Sequence, residues 1–277
     1  MLLFYVILIY KWVENMIFLT GCKGFIGQHF ASTIGDSVAV DYFNAFPVLE
    51  HFKSWDTIDE IIHLGAISST TEKDINKLHK YNVEYTIALF EKAIEYQIPV
   101  KYASSASVYG LSECGEVNPL NYYAITKTQI DYYVQDNLDK FKNICGYRFF
   151  NVYGENENHK KDQASPVSKF TWQAKETKQI KVFEGSENYY RDFIYVGDIV
   201  NIVLNQTHPS GIYDLGTGVS KSFQTIAELV AKKEGAEIKT IPFPSNLKGK
   251  YQNNTRANMN WIDYNFTTVE DYINRPS

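Results

Sequence analysis

The chain is poor in cysteine, proline and positive charge, and it contains no long apolar run. Its three cysteines, Cys22, Cys114 and Cys145, share no metal-ligand spacing and form an odd set. That excludes a disulfide scaffold and a thiolate metal site, and it suits a reducing, cytoplasmic compartment. No residue is assigned to a metal. No internal repeat and no low-complexity segment interrupts the chain. Lysine and arginine number 27 against 32 aspartates and glutamates, a net charge of −5 with no basic stripe, which argues against a nucleic-acid partner. The most apolar stretch, Met1–Tyr10, is too short to span a bilayer and has neither a basic start nor a small-residue cleavage site. Residues 1–15 are therefore read as an N-terminal extension, and no membrane partner is expected.

What the chain does have is a glycine triplet in the right setting. Gly21, Gly24 and Gly27 follow the short apolar run Met16–Leu19 and precede a helix-compatible stretch. The first glycine permits a tight turn off a strand, the second lets backbone approach a pyrophosphate, and the third allows close helix–strand packing. Open N–H groups and the positive helix end then favour phosphate, with Phe25 and Ile26 opening the helix. A second apolar strand, Val38–Val40, ends in Asp41 about 20 residues on, where a ribose hydroxyl needs an acceptor. Asp41 argues for NAD, because a carboxylate repels a 2′-phosphate unless a cation such as Lys23 or Lys53 compensates.

Further strands are read at Ile61–Ala66, Pro99–Ser105 and Ile144–Arg148, alternating with helices at Lys77–Gln97 and Tyr122–Gln135. This alternation predicts a Rossmann-like α/β fold with a doubly wound parallel sheet. Residues 16–154 form the dinucleotide-binding lobe, with a return segment near 191–219. Residues 155–277 are mainly a small substrate-binding lobe, with helices near Pro166–Thr177 and Ser222–Glu234. Only about twenty residues separate Asp41 from Ile61, too few for two successive crossovers. The sheet is therefore expected to lack its third strand and to offer a shallower adenine pocket.

Tyr123 and Lys127 lie four residues apart, hence on one helical face. A phenol is a poor base at neutral pH, and bringing its pKa from 10 to 7 needs roughly 4 kcal/mol. A neighbouring ammonium and an oxidised nicotinamide supply that by favouring phenolate. Ser105, ending the preceding strand, is placed to orient a substrate hydroxyl.

With these residues the chain resembles the extended short-chain dehydrogenase/reductase family, the nucleotide-sugar epimerases and dehydratases, over Met16–Trp261. Four segments resemble its ADP-heptose 6-epimerase branch: His63–Glu72, Arg148–Gly154 followed by His159-Lys160, Phe183–Asn188 leading to Arg191–Phe193, and Leu247–Gln252. The resemblance implies a soluble homo-oligomer acting on an ADP-sugar or another nucleotide-sugar. It also implies NADP, against the NAD favoured by Asp41. Tyr123 and Lys160 would be acid and base on opposite faces of the sugar, assisted by Ser105 and Lys127. Tyr42, Leu64, Gly65, Ala66, Ile67, Ser68, Asn82 and Val152 would join the cofactor site. Ser69, Asn151, Asp162, Lys169, Phe183, Glu184, Gly185, Ser186, Arg191 and Tyr251 would join the substrate site. Arg191 offers two parallel donors to a diphosphate; its structural alternative is a pair with Asp192. His63 reads as a core residue.

Asp162 and Lys169 depart from the branch pattern, which has a small polar residue and a histidine there. Dehydratases carry Thr-Asp-Glu where this chain has Ser105-Ala106-Ser107, so water loss is disfavoured. A UDP-hexose 4-epimerase and a non-catalytic nucleotide-binding module are the competing readings.

Overall fold

A computed structural model of the protein describes residues 15–112, 115–245 and 253–276. The predicted extension, Cys114 and Tyr251 lie outside these, apart from Asn15. In chain order the strands and helices of the first part are β1 (Ile17–Thr20), α1 (Phe25–Thr33), β2 (Ser37–Val40), α2 (Ala45–His51), β3 (Glu60–His63), α3 (Ile75–Leu78), α4 (Tyr85–Tyr96), β4 (Val100–Ser105), α5 (Tyr122–Asp136), β5 (Ile144–Phe149) and β6 (Asn151–Tyr153). There follow α6 (Pro166–Thr177), β7 (Gln179–Phe183), β8 (Tyr190–Tyr195), α7 (Val196–Asn205), β9 (Gly211–Leu215), β10 (Ser220–Ser222), α8 (Phe223–Glu234), β11 (Glu237–Ile241) and α9 (Val269–Ile273).

Six strands form the main sheet in the order β2-β1-β3-β4-β5-β9, every pair parallel. Side chains alternate across a strand, so adjacent apolar residues feed opposite cores. Phe18 and Ile61 enter the core beneath α2, α4 and α5, together with Trp55, Leu89, Phe90 and Ile130. Leu19 and Ile62 enter the core beneath α1 and α7, with Phe30, Ile199 and Val203. β2 is the edge of the sheet. The residues between it and β3 hold only α2 and a short turn, Trp55–Thr57, whose indole packs on Phe18 with ring centroids 4.9 Å apart. One large aromatic ring thus covers the end of a crossover too short for another strand.

The return segment divides between lobes. β9 joins the main sheet, while β8 pairs with β6 and β10 in a three-stranded sheet. A third core, including Tyr153, Phe170, Ile180, Phe193 and Ile226, holds α6, α8 and the β11–β7 pair together. The small lobe therefore contains strands as well as the two helices legible from sequence.

His63 ends β3 and is 1% exposed. Its Nδ1 lies 2.7 Å from Thr20 Oγ1 and its Nε2 2.9 Å from Thr86 Oγ1. A neutral ring satisfies both, donating from one nitrogen and accepting at the other. Burial, reinforced by the Lys127 cation, lowers its pKa to about 3. Between pH 6.5 and about 3 the unfolded chain binds a proton that the native state refuses. The stability is therefore complete above pH 6.5 and falls on acidification through that window, by up to about 1.4 kcal/mol per pH unit. Urea unfolding at pH 7 and pH 5 checks this: His63→Gln should lose less stability between the two than the wild type, and an equal loss would refute the assignment.

Candidate active site

The cradle begins where β1 turns into α1. Gly21 has φ +70°, and a Cβ there would lie 2.7 Å from the Gly65 nitrogen. A Cβ on Gly27 would lie 1.9 Å from the Gly21 carbonyl oxygen. Each contact requires glycine, and together they bring the turn against β3 and α1 against the turn. Gly24 caps α1 without a side-chain bond, so the helix N-terminus faces outward with its amide donors uncapped by side chain. This geometry fits a pyrophosphate.

The segment after β3 is held in place by two side chains. Thr20 Oγ1 accepts from the Gly65 N–H at 3.0 Å. Asn82 accepts from the Ile67 N–H at 2.8 Å and donates to the Ile67 carbonyl at 3.1 Å and to Thr126 Oγ1 at 3.1 Å. Asn82 lies in a wide π turn, His79–Glu84, between α3 and α4. Such turns concentrate at functional sites. Asn82 is buried and outside the cleft wall, so it shapes the cofactor segment from behind.

A cleft of about 840 Å³ runs over the C-terminal ends of the main strands. Its wall includes Gly21, Gly24, Phe25, Ile26, Gly27, Asp41, Tyr42, Leu64, Gly65, Ala66, Ile67 and Ser68 at one side. Ser105, Tyr123, Lys127, Asn151, Val152, Lys160 and Asp162 line it as well. Strand ends of an open α/β sheet are where such folds bind ligands. Ser69 sits between the wall residues Ser68 and Thr70, its hydroxyl 3.0 Å from that of Thr71. Lys169 is not in the wall; its ammonium donates to the Asp162 carbonyl. Phe183, Glu184, Gly185, Ser186 and Arg191 also lie outside it, at the end of β7 and the start of β8. They belong to the small lobe. Arg191 is buried, donates to the Tyr190 carbonyl at 2.7 Å and lies over the Phe223 ring. The Asp192 carboxylate instead accepts from Thr217, Gly218 and Ala257.

At the other end of the cleft, Asn121 caps α5 by accepting from the Ala124 N–H at 2.9 Å. That cap starts the helix so that Tyr123 and Lys127 face the sheet, both buried. Lys127 donates to the Ala103 carbonyl at 2.7 Å. Burial lowers its pKa to about 8, which leaves it cationic at pH 7. Burial raises the Tyr123 phenol, and a hydrogen bond with Ser105 opposes the rise. One turn beyond Lys127, Asp131 accepts from Tyr102 at 3.0 Å, Ser104 at 3.0 Å and Arg148 at 2.9 Å. Ser107 also lines the cleft, and its buried hydroxyl has no partner. It stands two residues after Ser105, a spacing sequence reading used only to compare dehydratases.

Lys160 reaches the cleft from a turn, Asn158–Gln163, that follows β6. Its ammonium lies 3.2 Å from Glu157 Oε2 and 4.6 Å from the Phe25 ring centroid. The Glu157 carboxylate is fully buried and also accepts from the Gly154 and Ser165 amides and from the Ser165 and Ser168 hydroxyls. Sequence reading missed Glu157, although its i,i+3 spacing to Lys160 is the available signal.

Residues 36–216 match the NAD dependent epimerase/dehydratase family. The chain is 36% identical to ADP-L-glycero-D-manno-heptose-6-epimerase of Alkalilimnicola ehrlichii, over 89% of this chain and 90% of that protein. Its fold matches the Helicobacter pylori ADP-L-glycero-D-manno-heptose-6-epimerase with a TM-score of 0.77 at 23% identity, covering 94% of each chain. It also matches a Thermotoga maritima UDP-glucose 4-epimerase with a TM-score of 0.79 at 20% identity, over 93% of this chain and 96% of that one. With a glycine cradle, an acid ending β2 and a buried Tyr–Lys pair around one cleft, the chain belongs to the NAD-dependent epimerase/dehydratase family of enzymes.

Proposed function

We propose that this protein is a nucleotide-sugar epimerase that inverts carbon 6 of an ADP-glycero-manno-heptose through transient oxidation. The observation that carries the reading is that Tyr123, Ser105 and Lys160, far apart in sequence, line one cleft with the glycine cradle. The 36%-identical heptose epimerase supports the sugar. The fold likeness to UDP-sugar epimerases supports the second reading, inversion at carbon 4 of a UDP-hexose.

Held by the glycine turn and Asp41, a nicotinamide cofactor would supply a reversible acceptor for hydride. The chain's own residues manage the proton. Ser105 orients the carbinol hydroxyl and Tyr123 takes its proton, with the Lys127 cation favouring phenolate. Burial and the Asp131 charge raise the Tyr123 phenol and only the Ser105 hydrogen bond opposes them, so positive charge brought to its phenol oxygen would be what makes it a base. Lys160 donates or accepts the proton when the other face of the carbonyl is presented. Two groups are needed because the hydroxyl lies on opposite sides in the two epimers.

The residues fit NAD better than NADP. Asp41 lines the cleft, whereas neither Lys23 nor Lys53 does, and Lys53 is turned to the Glu50 carbonyl. Calorimetry should find NAD binding tighter than NADP; tighter NADP binding would overturn this reading of Asp41. Tyr123→Phe should retain NAD affinity and lose about 10²–10⁴-fold in turnover, the usual worth of a general base. Activity within a few-fold of wild type, followed as epimer ratio by NMR, would remove Tyr123 from its role. Lys160→Ala should block epimerisation of ADP-heptose yet spare disproportionation of a carbon-6 aldehyde analogue in at least one stereochemical sense. Near wild-type epimerisation by that variant would reduce Lys160 to a phosphate-contacting or surface lysine.

A further inference from the structure

Lys160 reaches the cleft on a turn that its own residues do not favour. Lys161, the next residue, takes φ +48°, in the left-handed region that suits glycine. Within the turn the Lys160 N–H donates to the Glu157 carbonyl at 2.9 Å, and from α6 the Lys169 ammonium donates to the Asp162 carbonyl. The turn is tied to the interior by the Glu157 carboxylate, which is fully buried.

That carboxylate accepts from five donors. Oε1 takes the Gly154 N–H at 3.3 Å, the Ser165 hydroxyl at 2.7 Å and the Ser168 hydroxyl at 2.8 Å. Oε2 takes the Ser165 N–H at 2.7 Å and the Lys160 ammonium at 3.2 Å. Ser165 Oγ in turn accepts from the Ser168 N–H at 3.2 Å and so caps α6. The short bonds from Ser165 and Ser168 therefore fix the carboxylate to the start of α6 independently of the lysine. A carboxylate offers about four lone-pair sites, so the longer ammonium bond is one it can release without being left bare. Lys160 is the one charged donor and the one long, flexible partner. It is 25% exposed, lines the cleft, and has its ammonium 4.6 Å from the Phe25 ring centroid.

We infer that Glu157 is a positioning residue for the reaction: clamped to α6 by serine donors, it holds the Lys160 ammonium at the cleft wall, from which the lysine reaches a substrate hydroxyl and to which it returns. The inference rests on the reading of Lys160 as the second acid–base group and adds the group that aims it. Charge-assisted hydrogen bonds are roughly twice as strong as neutral ones, so the charge of the carboxylate, and not only its shape, sets the hold on the lysine. Lys160 serves one face of the carbonyl and Tyr123 the other. Loss of that charge therefore impairs one half of the reaction and spares the other.

Glu157→Gln separates charge from shape. Its carbonyl can keep the Ser165 N–H, and its amide can donate to the Ser165 and Ser168 hydroxyls, whose oxygens accept as well as donate. With ADP-glycero-manno-heptose, followed by NMR, the variant should epimerise about 3–10-fold more slowly, with the loss in kcat and not in KM. NAD binding by calorimetry should match the wild type. Disproportionation of the carbon-6 aldehyde analogue should slow only in the stereochemical sense that Lys160→Ala also loses. An equal fall in both senses would make the carboxylate purely structural and overturn the inference. Wild-type epimerisation by Glu157→Gln, with Lys160→Ala blocked, would overturn it too and leave Lys160 in its role. Near wild-type epimerisation by Lys160→Ala itself would remove that role, and the inference with it. If Glu157→Gln does not fold, Glu157→Asp keeps the charge and gives up one methylene of reach. The same one-sided loss is expected of it, and an equal loss in both senses would again overturn the inference.

Discussion

Asp131 ties the helix that carries the site to the sheet beneath it. Its buried carboxylate gathers donors from two strands, Tyr102 and Ser104 on β4 and Arg148 on β5. The network continues: Arg148 donates to Tyr109 at 2.8 Å, Tyr109 donates to Asp214 on β9, and Asp214 accepts from the Asn258 amide at 2.9 Å. Four successive elements and the C-terminal segment therefore share one chain of charge-assisted bonds. Removing Asp131 or Arg148 breaks the buried ion pair between them, which costs about 3–5 kcal/mol in such pairs. Tyr123 and Lys127 stand one to two turns before Asp131 on the same helix, so their reach into the cleft depends on that anchor.

The second constraint is close backbone approach. Gly21 and Gly27 bring the turn, the start of α1 and the backbone at Gly65 nearer than a Cβ on either glycine allows, and Thr20 and Asn82 hold the surrounding loop with side-chain bonds. Backbone held by its own packing in this way limits the ordering entropy that binding a ligand there would cost. Beside the cradle, the buried Glu157 arranges the turn that presents Lys160. Both devices use polar groups satisfied internally, so the cleft can be deep without exposing unpaired backbone.

Much of this was legible in the residues. The glycine spacing, Asp41, the Tyr123–Lys127 interval and the short link between Asp41 and Ile61 each carry a local mechanism that needs no tertiary information. Hence the parallel sheet, its β2 edge and one end of the cleft could be anticipated. The small lobe was harder to read. β7, β10 and β11 are short strands of three to five residues, β10 and β11 lack clean alternation, and their pairing partners are distant in sequence. Lys77–Gln97 read as one helix, because a periodic pattern does not reveal the π turn at His79–Glu84 that interrupts it.

The sequence alone determined the class of fold and the chemical pair, since turn sterics, helix periodicity and charge act over a few residues. Only tertiary structure decided which groups meet. It placed Lys160 in the cleft beside Phe25, set Asn82 behind the wall rather than in it, and kept Lys169, Phe183 and Arg191 out of it. It also buried the Tyr85 and Ser107 hydroxyls away from any hydrogen-bond partner in the protein. Such outcomes depend on contacts between residues tens of positions apart, where packing of the whole core, and not local preference, sets the geometry.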